Sequence, residues 1–493
     1  MAKKYQGKVV APEFPGGLPW LNATGPLTLS AFSGKLLLLN FWTSSRVDCI
    51  QLVPVLRKLE QDYPEEFAVV GVHTPKFDEE RATENVRQAL MRYGVSHPVV
   101  NDAERAVWQA YEVESWPTLV FVDPLGKVVG RLEGPITYEQ GVTLIDEMLT
   151  EFRANGTLRP SPSAITLEQP PAGILSYPAK VLADPDNERL FIADSGHHRV
   201  LLTDMDGEVQ TVIGSGVEGL ADGLLEGAKF RHPQGLLAVG DLLYVADTGN
   251  HAIRIVDLEV GIVETIAGTG EQGIGRVEGG AALEVALRSP SDLALVGRNL
   301  HIAMAGSHQI WALNLDTYVV QAIVGTGAES IIDGPPEEAE LAQPSGITTD
   351  EDDVLYFVDS ETSSIRSADI RSAHEVTTLT GTGLFDFGDV GGEGASAKLQ
   401  HPQGIDCQDQ FLYVADTYNH KIKVIESETR VVATLAGSGE AGSHDGALGE
   451  ASFYEPGGLS AAGDLVYVAD TNNHAIRVVD LEAREVRTLN VDF

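Results

Sequence analysis

One segment recurs six times in the C-terminal part of the chain, and few folds are open to a chain built that way. The best copies are Leu243-Tyr244-Val245-Ala246-Asp247-Thr248-Gly249-Asn250-His251, Leu412-Tyr413-Val414-Ala415-Asp416-Thr417-Tyr418-Asn419-His420 and Val466-Tyr467-Val468-Ala469-Asp470-Thr471-Asn472-Asn473-His474. A fourth begins Leu190-Phe191-Ile192-Ala193-Asp194. Two are degenerate, Leu300-His301-Ile302-Ala303-Met304 and Leu355-Tyr356-Phe357-Val358-Asp359. The aligned positions 194, 247, 304, 359, 416 and 470 are spaced by 53, 57, 55, 57 and 54 residues. Each unit offers four short strands, at 235–239, 242–247, 252–257 and 263–267 in the second copy. One four-stranded antiparallel sheet cannot bury both faces alone, so six in a row predict an all-β six-bladed propeller. A β-helix has shorter, mostly parallel coils and fits the hairpin-like Asp-Thr-x-Asn-His turns less well.

The connections between units carry their own signature, as in Gly437-Ser438-Gly439, Asp445-Gly446, Ala451-Ser452-Phe453 and Pro456. No helix follows the Gly-x-Gly to aim its dipole at a phosphate, so it reads as a turn. The acidic loop 386–393 does not match EF-hand spacing, and no metal is expected there. The histidine recurs at His198, His251, His308, His420 and His474, with Ser363 in the fourth copy. A ring of imidazoles could hold a metal if all faced the axis. One per splayed hairpin reads instead as structural, bonding the turn backbone and the nearby Asp. Cys407 reads as core in the first strand of the fifth unit. These copies resemble NHL repeats from Tyr177 to Phe493, which implies the same propeller.

The chain has 34 basic and 72 acidic residues, and 158–493 alone carries 19 against 52, a net of −33. Such a surface repels phosphates and anionic membranes, so neither nucleic acid nor membrane is an expected partner. No apolar run approaches the roughly 18 residues a bilayer span needs. Two cysteines, Cys49 and Cys407, are too few for a disulfide framework or a thiolate zinc cluster. Met1 to Gly7 is not followed by an apolar h-region, and a cytoplasmic protein is expected.

Residues 1–157 read as a separate domain, joined to a propeller at 177–493 by a linker over 158–176. Arg159-Pro160-Ser161-Pro162-Ser163 and Gln169-Pro170-Pro171-Ala172-Gly173 stiffen that linker. Strand and helix alternate in the first domain: strands at 35–42, 67–73 and 99–100, helices at 50–63, 79–93 and 103–111. A hairpin at 119–122 and 128–132 and a closing helix at 138–153 follow, which argues an α/β sheet. Asn40-Phe41-Trp42-Thr43-Ser44-Ser45-Arg46-Val47-Asp48-Cys49 leads into a helix containing Pro54, and Trp116-Pro117-Thr118 precedes the hairpin. This resembles a thioredoxin-like domain of the kind found in periplasmic thiol reductases. The resemblance implies that Pro117 is a cis-proline facing the active site and that a Cys-x-x-Cys pair opens the helix. Here Arg46 stands at the first position and only Cys49 remains. A two-electron dithiol cycle cannot close within such a domain. Arg46 and the helix N-terminus favour a Cys49 thiolate, whereas burial at the second position opposes it.

A thioredoxin-like domain followed by six NHL repeats resembles the NHL repeat-containing protein 2 family. Local stretches such as His97-Pro98-Val99-Val100-Asn101-Asp102 and Tyr418-Asn419-His420-Lys421-Ile422-Lys423-Val424 carry the resemblance. Members commonly keep the cysteine pair. The expected function is a non-enzymatic scaffold, without cofactor, for a protein or peptide partner. Arg46, Trp116 and Pro117 are the expected binding residues, since a cleft beside Pro117 can pair with an extended peptide. The first alternative is a redox protein using Cys49 as catalytic residue with an external thiol. The second is a hydrolase or lyase with its site in the central channel of the propeller.

Overall fold

The computed structural model describes residues 4–162, 165–275, 277–371 and 375–493. Met1 to Lys3 and Ser163, quoted above for the N-terminus and the linker, lie outside the described residues. The chain divides into two compact units, one through Pro170 and one from Pro171 to Phe493.

The first unit is one seven-stranded sheet. Its strands are β1 (Val9–Val10), β2 (Trp20–Leu21), β3 (Leu36–Trp42), β4 (Phe67–His73), β5 (Val99–Asn101), β6 (Thr118–Val122) and β7 (Lys127–Glu133). They lie in the order β1-β7-β6-β3-β4-β5-β2, with β3, β4 and β5 parallel and the other pairs antiparallel. Every residue of β3 is buried because helices cover both faces, which is why it reads as a continuous apolar run. On one face Leu36 and Leu38 meet α1 (Val47–Asp62) and α4 (Tyr138–Asn155) through Leu52, Leu56, Ile145 and Leu149. On the other, Leu37, Leu39 and Phe41 meet Val107 and Trp108 of α3 (Ala106–Ala110).

Two boundaries depart from the apolar spacing. Helix α1 starts at Val47, three residues before the periodic stretch, with Asp48 in its first turn, where a carboxylate suits the dipole. The helix read from 79 starts at Thr83 (α2, Thr83–Tyr93), because 79–81 is a 3₁₀ turn followed by extended Ala82. The proline-rich stretch after α4 lies against the first unit. The Arg159, Ser161 and Thr166 amides donate to the carbonyls of Gly34, Glu65 and Asn22, at 2.7, 3.0 and 3.2 Å.

The second unit is a six-bladed propeller, its blades at 178–213, 236–267, 290–324, 344–380, 404–436 and 456–489. The second blade consists of Leu236–Val239, Leu242–Asp247, Ala252–Asp257 and Ile262–Ala267, as the repeat predicts to within a residue. The first strands of the blades touch in sequence, and the sixth touches the first, so the ring is closed. The final residues help to close it: the Val209 amide of the first blade donates to the Asp492 carbonyl at 2.8 Å. The Gly-x-Gly segments are turns, with left-handed φ of +105° and +73° at Gly214 and Gly216.

Each repeat motif is a set of buried polar joints. One oxygen of the Asp accepts the amide of the residue leading into its own blade: Ser176 on Asp194, Arg231 on Asp247, Ala342 on Asp359, Gln400 on Asp416 and Tyr454 on Asp470, all at 2.7–2.8 Å. The other oxygen faces a cation seven residues on, Arg254, Arg366 or Arg477, at 3.0, 3.2 and 2.9 Å. These three arginines are fully buried and reach outward to Asp222, Asp333 and Asp445 in the connecting loops. The fifth blade uses Lys423, 3.9 Å from Asp416. The first has Leu201 at that position, and Arg199 bonds Asp194 instead, at 2.8 Å. Burial pushes the carboxyls of Asp247, Asp359 and Asp470 up to about 6 against the pull of their arginines, and that of Asp416 up to about 7.

The third blade lacks both charges, with Met304 in place of the Asp and Trp311 in place of the Arg, both buried in one apolar cluster. The Arg288 amide meets the Met304 sulfur at 3.4 Å. Removing one partner of a buried ion pair strands a charge, whereas an apolar exchange of both is tolerated.

The repeated histidine is structural, and its Nδ1 bonds across the seam to the next blade. Each turn ends on a residue with φ between 50 and 54°, and the side chain of that residue accepts the amide leading into the next blade. His198 accepts from His232, His251 from Ser289, His308 from Gln343, His420 from Glu455 and His474 from Tyr177, at 3.0–3.2 Å through Nδ1. Ser363 does the same for His401 with Oγ, at 3.1 Å. Six seams thus share one staple, and the last returns to the first blade.

Arg254→Met should cost about 3–5 kcal/mol, because it leaves the buried Asp247 carboxyl without its counter-charge. The double variant Asp247→Met/Arg254→Trp, which copies the third blade, should recover at least half of that in denaturant titrations. A second test concerns His251, whose imidazole burial and the nearby Arg231 and Arg288 push down to about 4. Its folded-state value lies below the ordinary 6.5, so its staple is fully present above pH 6.5 and is lost as pH falls toward 4. His251→Asn, which tolerates the left-handed turn, should remove on the order of 3 kcal/mol of acid sensitivity across that window.

Candidate functional site

The expected site lies where β3 runs into α1. The pairing of Phe41 with Thr118 brings the Trp116–Pro117 segment beside the end of β3, and the Trp116–Pro117 peptide is cis, as the resemblance implies. Arg46 is the N-cap residue of α1, its carbonyl accepting the amides of Cys49 and Ile50 at 3.0 and 3.2 Å. Cys49 is fully buried in the first turn, packed with Trp42 and Val53 and with Val86 and Leu90 of α2. Trp116 packs against the same cluster. Its ring lies 4.7 Å from that of Trp108 and carries the Arg105 guanidinium at 5.4 Å. Its indole Nε1 is buried with no hydrogen-bond partner among the described residues. The structure therefore gathers Cys49, Trp116 and Pro117 at one helix start that Arg46 caps. Neither Cys49 nor Cys407 is in a disulfide.

Glu80 belongs to the same place and is not visible in any local motif. Its carboxylate is buried, and one oxygen accepts the Thr43 and Ser44 hydroxyls and the Ser45 amide at 2.5, 2.9 and 2.8 Å. The other accepts the amides of Lys76 and Phe77 at 2.8 and 3.0 Å. Burial works against this charge, but nearby His73 and the donors outweigh it and hold the carboxyl below the usual range. His73 itself is pushed down to about 4 by burial. The sequence offered one hint: three consecutive hydroxyl residues at a strand end need an acceptor.

The second candidate, the bore of the propeller, is filled at its waist. Two residues after the lead-in proline, four blades carry glycine: Gly235, Gly346, Gly404 and Gly458. A Cβ on Gly404 would stand 2.7 Å from the Gly457 carbonyl oxygen, and one on Gly458 2.2 Å from the Lys180 side chain. The two remaining blades place Lys180 and Asp292 there. The Lys180 Nζ crosses the axis to Asp292 at 3.0 Å and to the Gln403 carbonyl at 2.9 Å, both side chains buried. One layer on, Asp406 accepts the Ala461 amide at 2.8 Å and the Thr348 hydroxyl at 3.2 Å, and burial pushes its carboxyl up to about 6.

The remaining sequence candidates resolve locally. In the loop 386–393, Asp386 is held by Thr382 and Lys398, and Asp389 by Lys421 and Lys423. Cys407 is half-buried rather than core, 3.7 Å from the Asp409 carbonyl, and burial among acidic neighbours pushes its thiol up to about 12.

Comparison with known proteins agrees with this layout. Residues 34–128 match the thioredoxin-like family profile, and 453–479 match the NHL repeat profile. NHL repeat-containing protein 2 of Bos taurus is 39% identical over 99% of this chain and 72% of its own length. The human protein of that name is also 39% identical, over 97% of this chain and 71% of its own. Protein SUPPRESSOR OF QUENCHING 1, chloroplastic, of Arabidopsis thaliana is 40% identical over 99% of this chain and 48% of its own length. With a thioredoxin-like domain, an NHL propeller and this identity along almost its whole length, the chain belongs to the NHL repeat-containing protein 2 family.

Proposed function

We propose that this chain is a binding scaffold that takes an extended peptide or protein segment beside Pro117, and not a dithiol oxidoreductase. One observation carries the reading: Arg46 holds the N-cap position where an attacking cysteine would stand, and the one nearby sulfur, that of Cys49, is buried beneath α2. Thiol–disulfide exchange needs an accessible thiolate and a second sulfur to resolve the mixed disulfide. The cleft keeps the cis Trp116–Pro117 peptide beside a rigid wall, the Trp108–Trp116–Arg105 stack. The filled bore supports the same reading over a hydrolase or lyase in the channel, since Lys180 occupies the axis. A cytoplasmic setting suits two cysteines outside any disulfide.

The experiment is to give back the missing sulfur. The wild-type chain should reduce insulin disulfides no faster than buffer containing the same dithiothreitol. Arg46→Cys, which restores the spacing to Cys49, should raise that rate at least about tenfold, because only the nucleophile is missing. A wild-type rate equal to that of the variant would overturn the scaffold reading. Binding is tested on an array of extended peptides probed with the full chain. Trp116→Ala, which removes the aromatic wall, should weaken the retained peptides by about 1 kcal/mol or more.

A further inference from the structure

We infer that Glu80 is the positioning residue of this site: one buried carboxylate clamps together the two segments that cover Cys49 and present Arg46. The inference deepens the scaffold reading and rests on it only for what the cleft is used for.

The argument starts from connectivity. Residues 43–46 join β3 to α1, and 74–82 join β4 to α2. Helices α1 and α2 supply the cover of Cys49, Val53 from one and Val86 and Leu90 from the other. Their backbones approach at the Thr74 amide, which donates to the Trp42 carbonyl at 2.9 Å. Glu80 supplies the tie. Its Oε1 takes three donors from 43–45 and its Oε2 takes two from 76–77. An ionised carboxylate accepts with both oxygens and donates nothing, so five donors shared between Oε1 and Oε2 suit its charge better than any neutral side chain. Such charge-assisted bonds are about twice as strong as neutral ones.

Sterics alone would not select this residue. Glutamine has the same shape, but its amide nitrogen would confront a backbone N–H on whichever side it faced: that of Ser45, beside the Thr43 and Ser44 hydroxyls that can turn to accept, or those of Lys76 and Phe77. One connection must then let go. Release of 43–45 unseats Arg46, the next residue, and release of 76–77 loosens the path into α2. Either way Cys49 loses part of its cover.

The test uses the full chain, iodoacetamide as probe and peptide mass spectrometry to read labelling at Cys49 separately from Cys407. Glu80→Gln should speed Cys49 labelling by about tenfold or more under native conditions, through local opening. The control is Asp123→Asn, a buried carboxylate that takes the amides of Gly7, Leu125 and Lys127 in the β6–β7 turn, away from Cys49. Compared at equal stability loss in denaturant, that variant should label within about twofold of wild type, because its opening is elsewhere. Equal acceleration in both variants overturns the inference. Should Glu80→Gln fail to fold, hydrogen exchange of the wild type decides: the Ser45, Lys76 and Phe77 amides should exchange at one common rate, and independent rates overturn it. No partner is present in either measurement, so failure to bind peptide would sink the scaffold reading and leave the clamp standing.

Discussion

In each of five blades an aspartate with no exposure to solvent ties the end of its strand to the segment that leads into the same blade. The propeller depends on that joint. A four-stranded sheet has no reason of its own to stand at a fixed angle to its neighbour, and apolar packing between blades is not directional. The Asp fixes where the lead-in segment begins. The left-handed residue four positions later reaches across the seam and fixes where the next one begins. Orientation therefore passes from blade to blade by hydrogen bonds, while the apolar clusters between blades supply most of the stabilisation. Because the sixth staple returns to Tyr177, an error at any seam must be absorbed by all six.

This explains why departures from the repeat come as matched sets. Losing the aspartate alone would leave an arginine buried without a counter-charge, and the third blade loses both, to Met304 and Trp311. At the waist of the bore, glycine is required where inner strands crowd together. The two blades that break the rule do so with opposite charges, Lys180 and Asp292, which meet each other. Serine replaces histidine at 363 and still offers an oxygen to the same amide. In each case the geometry constrains an interaction rather than a residue, so a degenerate copy folds as well as an ideal one.

The same distinction sets what could be read from the sequence. Strand positions within a blade were legible to a residue because alternation and turn chemistry are local, as Leu242–Asp247 and Ala252–Asp257 show. So was the cis-proline segment, because a resemblance over 34–128 carries it. The histidines were recognisable as structural but not for the right partner: Nδ1 of His251 meets Ser289, 38 residues on, in a different blade. Glu80 and the Lys180–Asp292 pair were invisible for the same reason. Each joins residues more than 30 positions apart with no periodicity to announce it. At the site, Arg46 and Cys49 were placed correctly along the helix, but what covers the sulfur depends on α2, whose true start at Thr83 the apolar spacing missed.

Loss of one thiolate need not dismantle the apparatus built to hold it. A reactive thiolate asks three things of this scaffold: a helix start with its first turn exposed to the reacting partner, a strand end to align that partner, and a rigid loop between them. The last two are intact here. Thr118 still follows the cis peptide, and a buried carboxylate still takes five donors to hold the loop. Burying an ionised carboxylate costs several kcal/mol unless its donors offset it, and an apolar residue at 80 would leave all five of these donors without their acceptor. A helix N-terminus with a positive partial charge is a poor place for a cation, yet Arg46 holds the N-cap of α1. A braced loop and a cation thus remain at the one point where the proposed cleft would meet a partner, and that is the physical case for a site that binds without exchanging sulfur.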